Sequence, residues 1–306
     1  MSDDDSETDE ILPDSGLPDV SKFSITDLFG SKRLNKSLSK LIDAVSSHVG
    51  IRHEPARIIK TAKTEAKAAI IRTKANAKVK DIEWRVNNRL LHREFRRQKN
   101  IESITMGSLP HLPEQVSEEQ PNENWVCEFF NSCQDVGDAE MQILWSKILA
   151  GEISNPGKYS MRTLNLLKTL TEAEVHLFTK FCKFVWSNRG VHIYTNRTDE
   201  YLKQLYGFTF DDMIYLDAIG LINHQQSVVI SLDPNESIIL TYYDRMYKFT
   251  RFTPEANYIV RIVNITPLTR IGVELAPITG ASPDYGYVEC LLQSLKNTTI
   301  KAERVK

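Results

Sequence analysis

The chain has 306 residues, of which 41% are hydrophobic and 25% are charged, as is typical of globular proteins that bury a core. Forty acidic residues against 38 basic residues give a formal net charge of −2, which excludes a uniformly basic nucleic-acid-binding protein. No stretch reaches the roughly 18 consecutive apolar residues of a membrane span, and the four cysteines match no zinc-ligand spacing and predict buried thiols in a reducing cytoplasm.

The N-terminal segment is strongly acidic. The first twenty residues carry eight Asp or Glu residues and no Lys or Arg. Like charges repel one another, and so polar a segment buries almost nothing, so we predict a disordered acidic tail over residues 1–22. A specific acidic docking tail is the alternative interpretation.

An amphipathic helix is predicted next. Its apolar face is spaced as one side of a helix and consists of Leu34, Leu38, Leu41, Ile42, Val45 and Val49. Basic residues flank this face, so residues 23–49 could attach to an anionic membrane surface. The face lacks the Trp or Phe that anchors such helices in lipid, so we favour packing on the rest of the protein or on a second copy.

A long basic helical arm is predicted to follow, completing a segment over residues 23–106. Pro55 suits the first turn of a helix, and residues 56–103 contain neither Gly nor Pro. Between Arg52 and Lys99, fifteen Lys or Arg residues face five Asp or Glu residues. The candidate phosphate contacts on this arm are Arg57, Lys60, Lys63, Lys67, Arg72, Lys74, Lys78, Arg85, Arg89, Arg93, Arg96 and Arg97.

The apolar stripe of the arm is thin at first and thickens beyond Trp84. The later apolar residues are Val86, Leu90, Leu91, Phe95 and Ile101. They predict that the far end of the arm docks on the globular body. The arm is therefore interpreted as a projecting helix or a self-associating coiled coil.

The rest of the chain predicts a linker over residues 107–123, a bundle of four short helices over 124–190 and an α+β domain over 191–306. Ser160 can cap one helix, and the pairs Thr171–Glu174 and Thr209–Asp212 have the spacing of a capping box. The β-rich runs 227–232 and 237–243 flank a turn at 233–235 and suggest a winged-helix-like hairpin. The predicted fold class is mainly α with a smaller α+β part.

Glu140 to Phe178 reads EMQILWSKILAGEISNPGKYSMRTLNLLKTLTEAEVHLF, and RRQKNIESI precedes it at Arg96 to Ile104. These runs closely resemble a bacterial family, Domain of Unknown Function 2806, and the resemblance extends over most of the chain from about Phe23. No enzymatic reaction is established for this family.

A weaker architectural resemblance is to the Abi-alpha family of abortive-infection proteins, which act in phage defence. It rests on the order of four blocks, at Leu144 to Glu152, Leu170 to Glu174, Leu216 to Ile222 and Leu268 to Gly272. It implies an architecture, and fold analogy does not fix function.

Within the central block we expect Trp145 in the core, a helix end at Gly151 and a turn at Pro156 and Gly157. Arg162 is predicted to pair with Glu152 or Glu140 across that turn. A ligand site at Arg162 is the alternative. These five family-block residues, Trp145, Glu152, Pro156, Gly157 and Arg162, are the candidate structural or interaction residues.

The sequence lacks the phosphate loop, the HExxH zinc helix and the GxSxG elbow. The seven histidines are scattered, and we predict no catalytic residue, metal ligand or cofactor. The favoured function is a non-enzymatic interaction or scaffold protein of bacterial or prophage origin, connected with phage defence. Its expected partners are further copies of itself through the arm, or a protein from the same operon. Nucleic-acid binding by the arm and the winged-helix-like domain is the alternative.

Overall fold

The structure is a computed structural model that describes residues 36–49, 77–188, 191–195, 199–224, 228–232, 236–251, 260–296 and 300–305. The chain divides into one unit of residues 1–34 and 46–95 and a second of residues 35–45 and 96–306. Helix α1 spans Lys36–Val49 and helix α2 spans Ala77–Ser108. The predicted disordered tail and the candidate contacts Arg57, Lys60, Lys63, Lys67, Arg72 and Lys74 lie outside the described residues.

Residues 36–45 of helix α1 belong to the second unit and pack within it. Its apolar side chains Leu38, Leu41, Ile42 and Val45 are buried. Ser37 Oγ donates to the carbonyl of Pro113 at 2.6 Å, and Lys40 Nζ donates to the carbonyl of Ser117 at 3.0 Å. The described part of the apolar face of α1 is therefore buried, whereas Leu34 lies outside the described residues. The choice between packing and membrane attachment through residues 23–49 stays a prediction.

The four predicted central helices are present. They are α3 (Glu123–Cys133), α4 (Ala139–Ser154), α5 (Met161–Leu167) and α6 (Glu172–Cys182). Ser160 caps α5, and Thr171 with Glu174 forms the predicted capping box of α6. Such caps satisfy N–H groups of the first turn that have no partner within the helix.

Aromatic side chains fill the core between these helices. The ring of Phe129 lies 5.3 Å from that of Trp145 and 5.2 Å from that of Trp125. Trp145 is fully buried, as predicted, and Trp125 Nε1 donates to the carbonyl of Tyr159 at 2.8 Å. The core is thereby tied to the turn between α4 and α5.

The C-terminal part combines an antiparallel sheet with short helices. Its helices are α7 (Asp199–Tyr206), α8 (Phe210–Ala218), α9 (Arg270–Leu275) and α10 (Tyr285–Leu295). Its strands are β1 (Trp186–Asn188), β2 (Val191–Thr195), β3 (Val228–Leu232), β4 (Ser237–Tyr242), β5 (Arg245–Arg251), β6 (Val260–Pro267) and β7 (Ile300–Arg304). The strand order is β3-β6-β2-β1-β4-β5-β7.

The predicted hairpin between residues 227–232 and 237–243 is wrong. Strand β3 pairs with β6, whereas β4 pairs with β1 and β5, so the two neighbouring strands lie apart in the sheet. Tertiary packing selects the partner of each strand, and a short connection does not by itself make two strands pair. The winged-helix arrangement is not confirmed, whereas the class of mainly α with a smaller α+β part is.

Among the helices of the described ranges, none combines the length and the apolar character that a membrane crossing requires.

Candidate functional site

The family block is organised around the turn that joins α4 to α5. Gly157 has φ +82°, a left-handed conformation that glycine adopts without strain. Glu152 lies in the last part of α4, is 1% exposed and accepts from the backbone N–H of Gly157 at 2.6 Å and of Tyr159 at 3.0 Å. Burial raises the pKa of the Glu152 carboxyl, while these backbone donors oppose the rise. The side chain of Glu152 therefore fixes the shape of the turn.

A second carboxylate, from α9, holds the other end of the same turn. Glu274 accepts from the backbone N–H of Ser160 at 2.8 Å and from the hydroxyl of Thr163. Arg270, one turn earlier in α9, pairs with Glu274 at 3.1 Å. Because protein donors already occupy both carboxylates, the arrangement is suited to joining α9 to the central helices rather than to acid–base chemistry.

The predicted clamp between Arg162 and Glu152 or Glu140 is wrong. Arg162 is exposed and makes no ion pair within the described ranges, while Glu140 contacts His176 instead. In the part of the chain that the structure describes, backbone N–H groups of the turn occupy the Glu152 carboxylate, and no guanidinium pairs with it. Sequence reasoning missed Glu274, which is 114 residues from Ser160 along the chain.

Gly151 does not end a helix, because α4 continues to Ser154. A Cβ added at this position would lie 2.7 Å from the ring of Tyr159. Gly151 is therefore needed for the close approach of the Tyr159 ring. The hydroxyl of Tyr159 is buried and has no hydrogen-bond partner among the described residues, and burial raises its pKa.

The described part of the arm is helical, as predicted, but most of its candidate phosphate contacts already face acids. Arg85 pairs with Asp81 at 3.1 Å, and Arg93 pairs with Glu94 at 2.8 Å. Arg96 and Arg97 both pair with Asp135, at 3.3 Å and 2.7 Å. Arg89 is exposed, and Lys78 lies in the first turn of α2. Exposed ion pairs of this kind contribute about 0–1 kcal/mol, so a phosphate can compete with them.

The same helix exposes large apolar side chains. The exposed residues are Ile82, Trp84, Val86, Leu90, Leu91 and Phe95, with exposures from 37% to 65%. Within α2 itself, burial begins with Asn100, Ile101 and Ile104. Docking of the far end of the arm on a globular body stays a prediction. Single exposed apolar residues are ordinary, but six within fourteen residues of one helix are typical of an interaction surface.

A family model described as "Protein of unknown function (DUF2806)" matches residues 84–292, which is most of the chain. No curated protein matches the chain. No solved structure matches it either. The resemblance to Abi-alpha proteins stays a prediction.

Proposed function

The chain belongs to the DUF2806 family of proteins of unknown function, and from that premise we propose that it is a non-enzymatic interaction protein that self-associates through α2. The observation that carries this proposal is the set of six exposed apolar side chains between Ile82 and Phe95. Exposed apolar area is the main source of free energy for association in water.

These six side chains form two stripes, because residues three, four and seven apart share a helix face. The first stripe, named here the Trp84 stripe, comprises Trp84, Leu91 and Phe95. The second, the Ile82 stripe, comprises Ile82, Val86 and Leu90. At about 100° per residue the stripes lie on nearly opposite sides of α2. Each stripe therefore supplies a surface for a different neighbouring helix.

The expected energies are large enough to measure. Burying one large apolar side chain contributes about 1.5–3 kcal/mol, so losing one stripe removes at least about 4 kcal/mol from an interface. A loss of that size converts a micromolar dissociation constant into a millimolar one.

The experiment measures the mass of the full chain by size-exclusion chromatography with light scattering at micromolar concentration. One variant changes Trp84, Leu91 and Phe95 to Gln, and a second changes Ile82, Val86 and Leu90 to Gln, since glutamine preserves helix propensity. The matched control changes Arg85, Arg89 and Arg93 to Gln on the same helix. We expect oligomeric wild type and control, and a smaller species for at least one stripe variant. A monomeric wild type, or oligomers unchanged in both stripe variants, would refute the proposal.

Nucleic-acid binding is the second candidate, supported by the basic excess of α2, which has eight Lys or Arg residues and four Asp or Glu residues. The same variants separate it from self-association. If the arginines contact duplex phosphates, the variant that lacks Arg85, Arg89 and Arg93 should bind DNA more weakly. The slope of log affinity against log salt concentration should become shallower by about 0.9 for each lost contact. DNA affinity that is independent of salt and of these arginines excludes this candidate.

A role in phage defence, alone or with a protein from the same operon, stays part of the proposal. The four cysteines are free thiols, which supports a reducing compartment such as the cytoplasm. The efficiency of plating of phages on cells that express the wild type or the stripe variants tests this role. Protection that is lost with the stripe variants supports it, and equal plating with and without the protein contradicts it.

A further inference from the structure

A cluster of one imidazole and two carboxylates lies where α4 begins and α6 begins. Glu140 is in the first turn of α4, and Glu172 and His176 are four residues apart on one face of α6. His176 Nε2 lies 3.1 Å from Glu140 Oε2 and 3.4 Å from Glu172 Oε1. One ligand atom from each residue lies within 4.8 Å of the other two. Two helices thus bring three metal-ligating side chains together.

A single proton on Nε2 of His176 cannot bind both carboxylates of this cluster equally. Nε2 carries at most one proton, so the imidazole donates fully to only one of the two carboxylates that face it. Even a charged imidazolium leaves a net charge of −1 on the three side chains, which only solvent compensates at this exposed position. A divalent cation in place of the shared proton compensates both carboxylates at once, and neutral imidazole is a ligand for such cations.

The distances suit a transition metal. Zn²⁺ binds histidine nitrogen at about 2.0–2.1 Å and carboxylate oxygen at about 2.0–2.2 Å, so two tetrahedral ligands lie about 3.3–3.6 Å apart. The two separations from Nε2 fall close to this range. The carboxylates of Glu140 and Glu172 are 61% and 54% exposed, so they can rotate towards a shared ion without disturbing the core.

We propose that Glu140, Glu172 and His176 form a binding site for Zn²⁺ or a similar divalent transition metal, which links the N-terminus of α4 to that of α6. A fourth ligand comes from water, since the site faces solvent. A nitrogen ligand favours Zn²⁺ over Mg²⁺, which prefers oxygen ligands in a strict octahedral arrangement. The affinity is expected in the micromolar range because the ligands are exposed.

The site is tested on the full chain, freed of metal with a chelator, by calorimetric titration with Zn²⁺ and by the visible spectrum of the Co²⁺ form. We expect about one Zn²⁺ per chain with micromolar affinity and a Co²⁺ spectrum typical of four or five ligands. His176→Gln, Glu172→Gln and Glu140→Gln should each weaken Zn²⁺ binding at least tenfold, while millimolar Mg²⁺ should not displace Zn²⁺.

The matched control is His92→Gln, which removes an exposed histidine from α2. It should leave the affinity unchanged. All four variants alter exposed side chains, so circular dichroism should confirm that they fold. Absence of binding at 100 micromolar Zn²⁺, or equal affinity in the wild type and the His176→Gln variant, would overturn the site. The outcome is independent of the oligomeric state measured above.

Discussion

Removing the Glu152 carboxylate should destabilise the protein more than any exposed charge does. In Glu152→Ala the backbone N–H groups of Gly157 and Tyr159 lose their acceptor inside the protein. The N–H of Tyr159 is buried and costs about 1–3 kcal/mol without a partner, whereas water can satisfy the N–H of the exposed Gly157, so the loss should be about 1–3 kcal/mol. Glu152→Gln keeps one acceptor oxygen but places an N–H₂ group against the other donor, so we expect roughly half of that loss.

The assay is urea denaturation followed by tryptophan fluorescence. Trp125 is a suitable reporter, because its indole donates to the carbonyl of Tyr159 within the same turn. The matched control is Glu289→Ala, an exposed glutamate within α10, which should stay within about 0.5 kcal/mol of the wild type. If Glu152→Ala is no more destabilising than Glu289→Ala, the carboxylate does not hold the turn and our reasoning is wrong.

Three further outcomes are expected. Gly272→Ala should lower the free energy of unfolding by about 1–3 kcal/mol, measured by thermal or urea denaturation, because the added Cβ would collide with the carbonyl oxygen of Leu221. The control Gly137→Ala, whose Cβ would lie in open space, should leave the free energy of unfolding nearly unchanged. Burial raises the pKa of the Cys133 and Cys182 thiols, so a thiol reagent at pH 8 should label the exposed Cys127 and the half-buried Cys290 first, and the two buried thiols only after denaturation. Labelling of the native protein that survives in a Cys127→Ser, Cys290→Ser double variant would contradict this. The hydrogen bond from Arg97 lowers the pKa of Asp135, so the ionised carboxylate stabilises the folded protein, by under about 1 kcal/mol at so exposed a site. This stabilisation is present at neutral pH and is lost as the pH falls through the lowered pKa. If the difference in unfolding free energy between the wild type and Asp135→Asn grows at low pH, the ion pair does not have this role.

The elements that local sequence determines were predicted correctly. The capping boxes at Thr171–Glu174 and Thr209–Asp212 depend on residues three positions apart, and both are present. The apolar spacing of α1 likewise predicted a buried face. These features need only the geometry of a single helix, which the sequence specifies directly.

The features that sequence reasoning missed depend on distant residues. The turn at Gly157 is held partly by the hydrogen bond from the N–H of Ser160 to Glu274, and no short-range sequence pattern predicts that contact. The sequence alone suggests that Gly151 ends a helix, but in the structure the absence of a side chain at Gly151 makes room for the ring of Tyr159. The approach of Glu140 to His176 and the pairing of β3 with β6 have the same origin, since tertiary packing chooses their partners.

The order of the strands has a consequence for biosynthesis. Strand β1 pairs with β4, β2 pairs with β6, and β5 pairs with β7 at residues 300–304, and in each pair the second strand is synthesised later. The sheet is therefore complete only when nearly the whole chain has left the ribosome. Helices α3 to α6 lie within residues 123–182, so they leave the ribosome much earlier and can begin to collapse before Glu274 joins them. A nascent or prematurely terminated chain therefore carries unpaired strand edges beside an already folded helical core. Those edges are the part of this protein on which chaperones and proteases should act first.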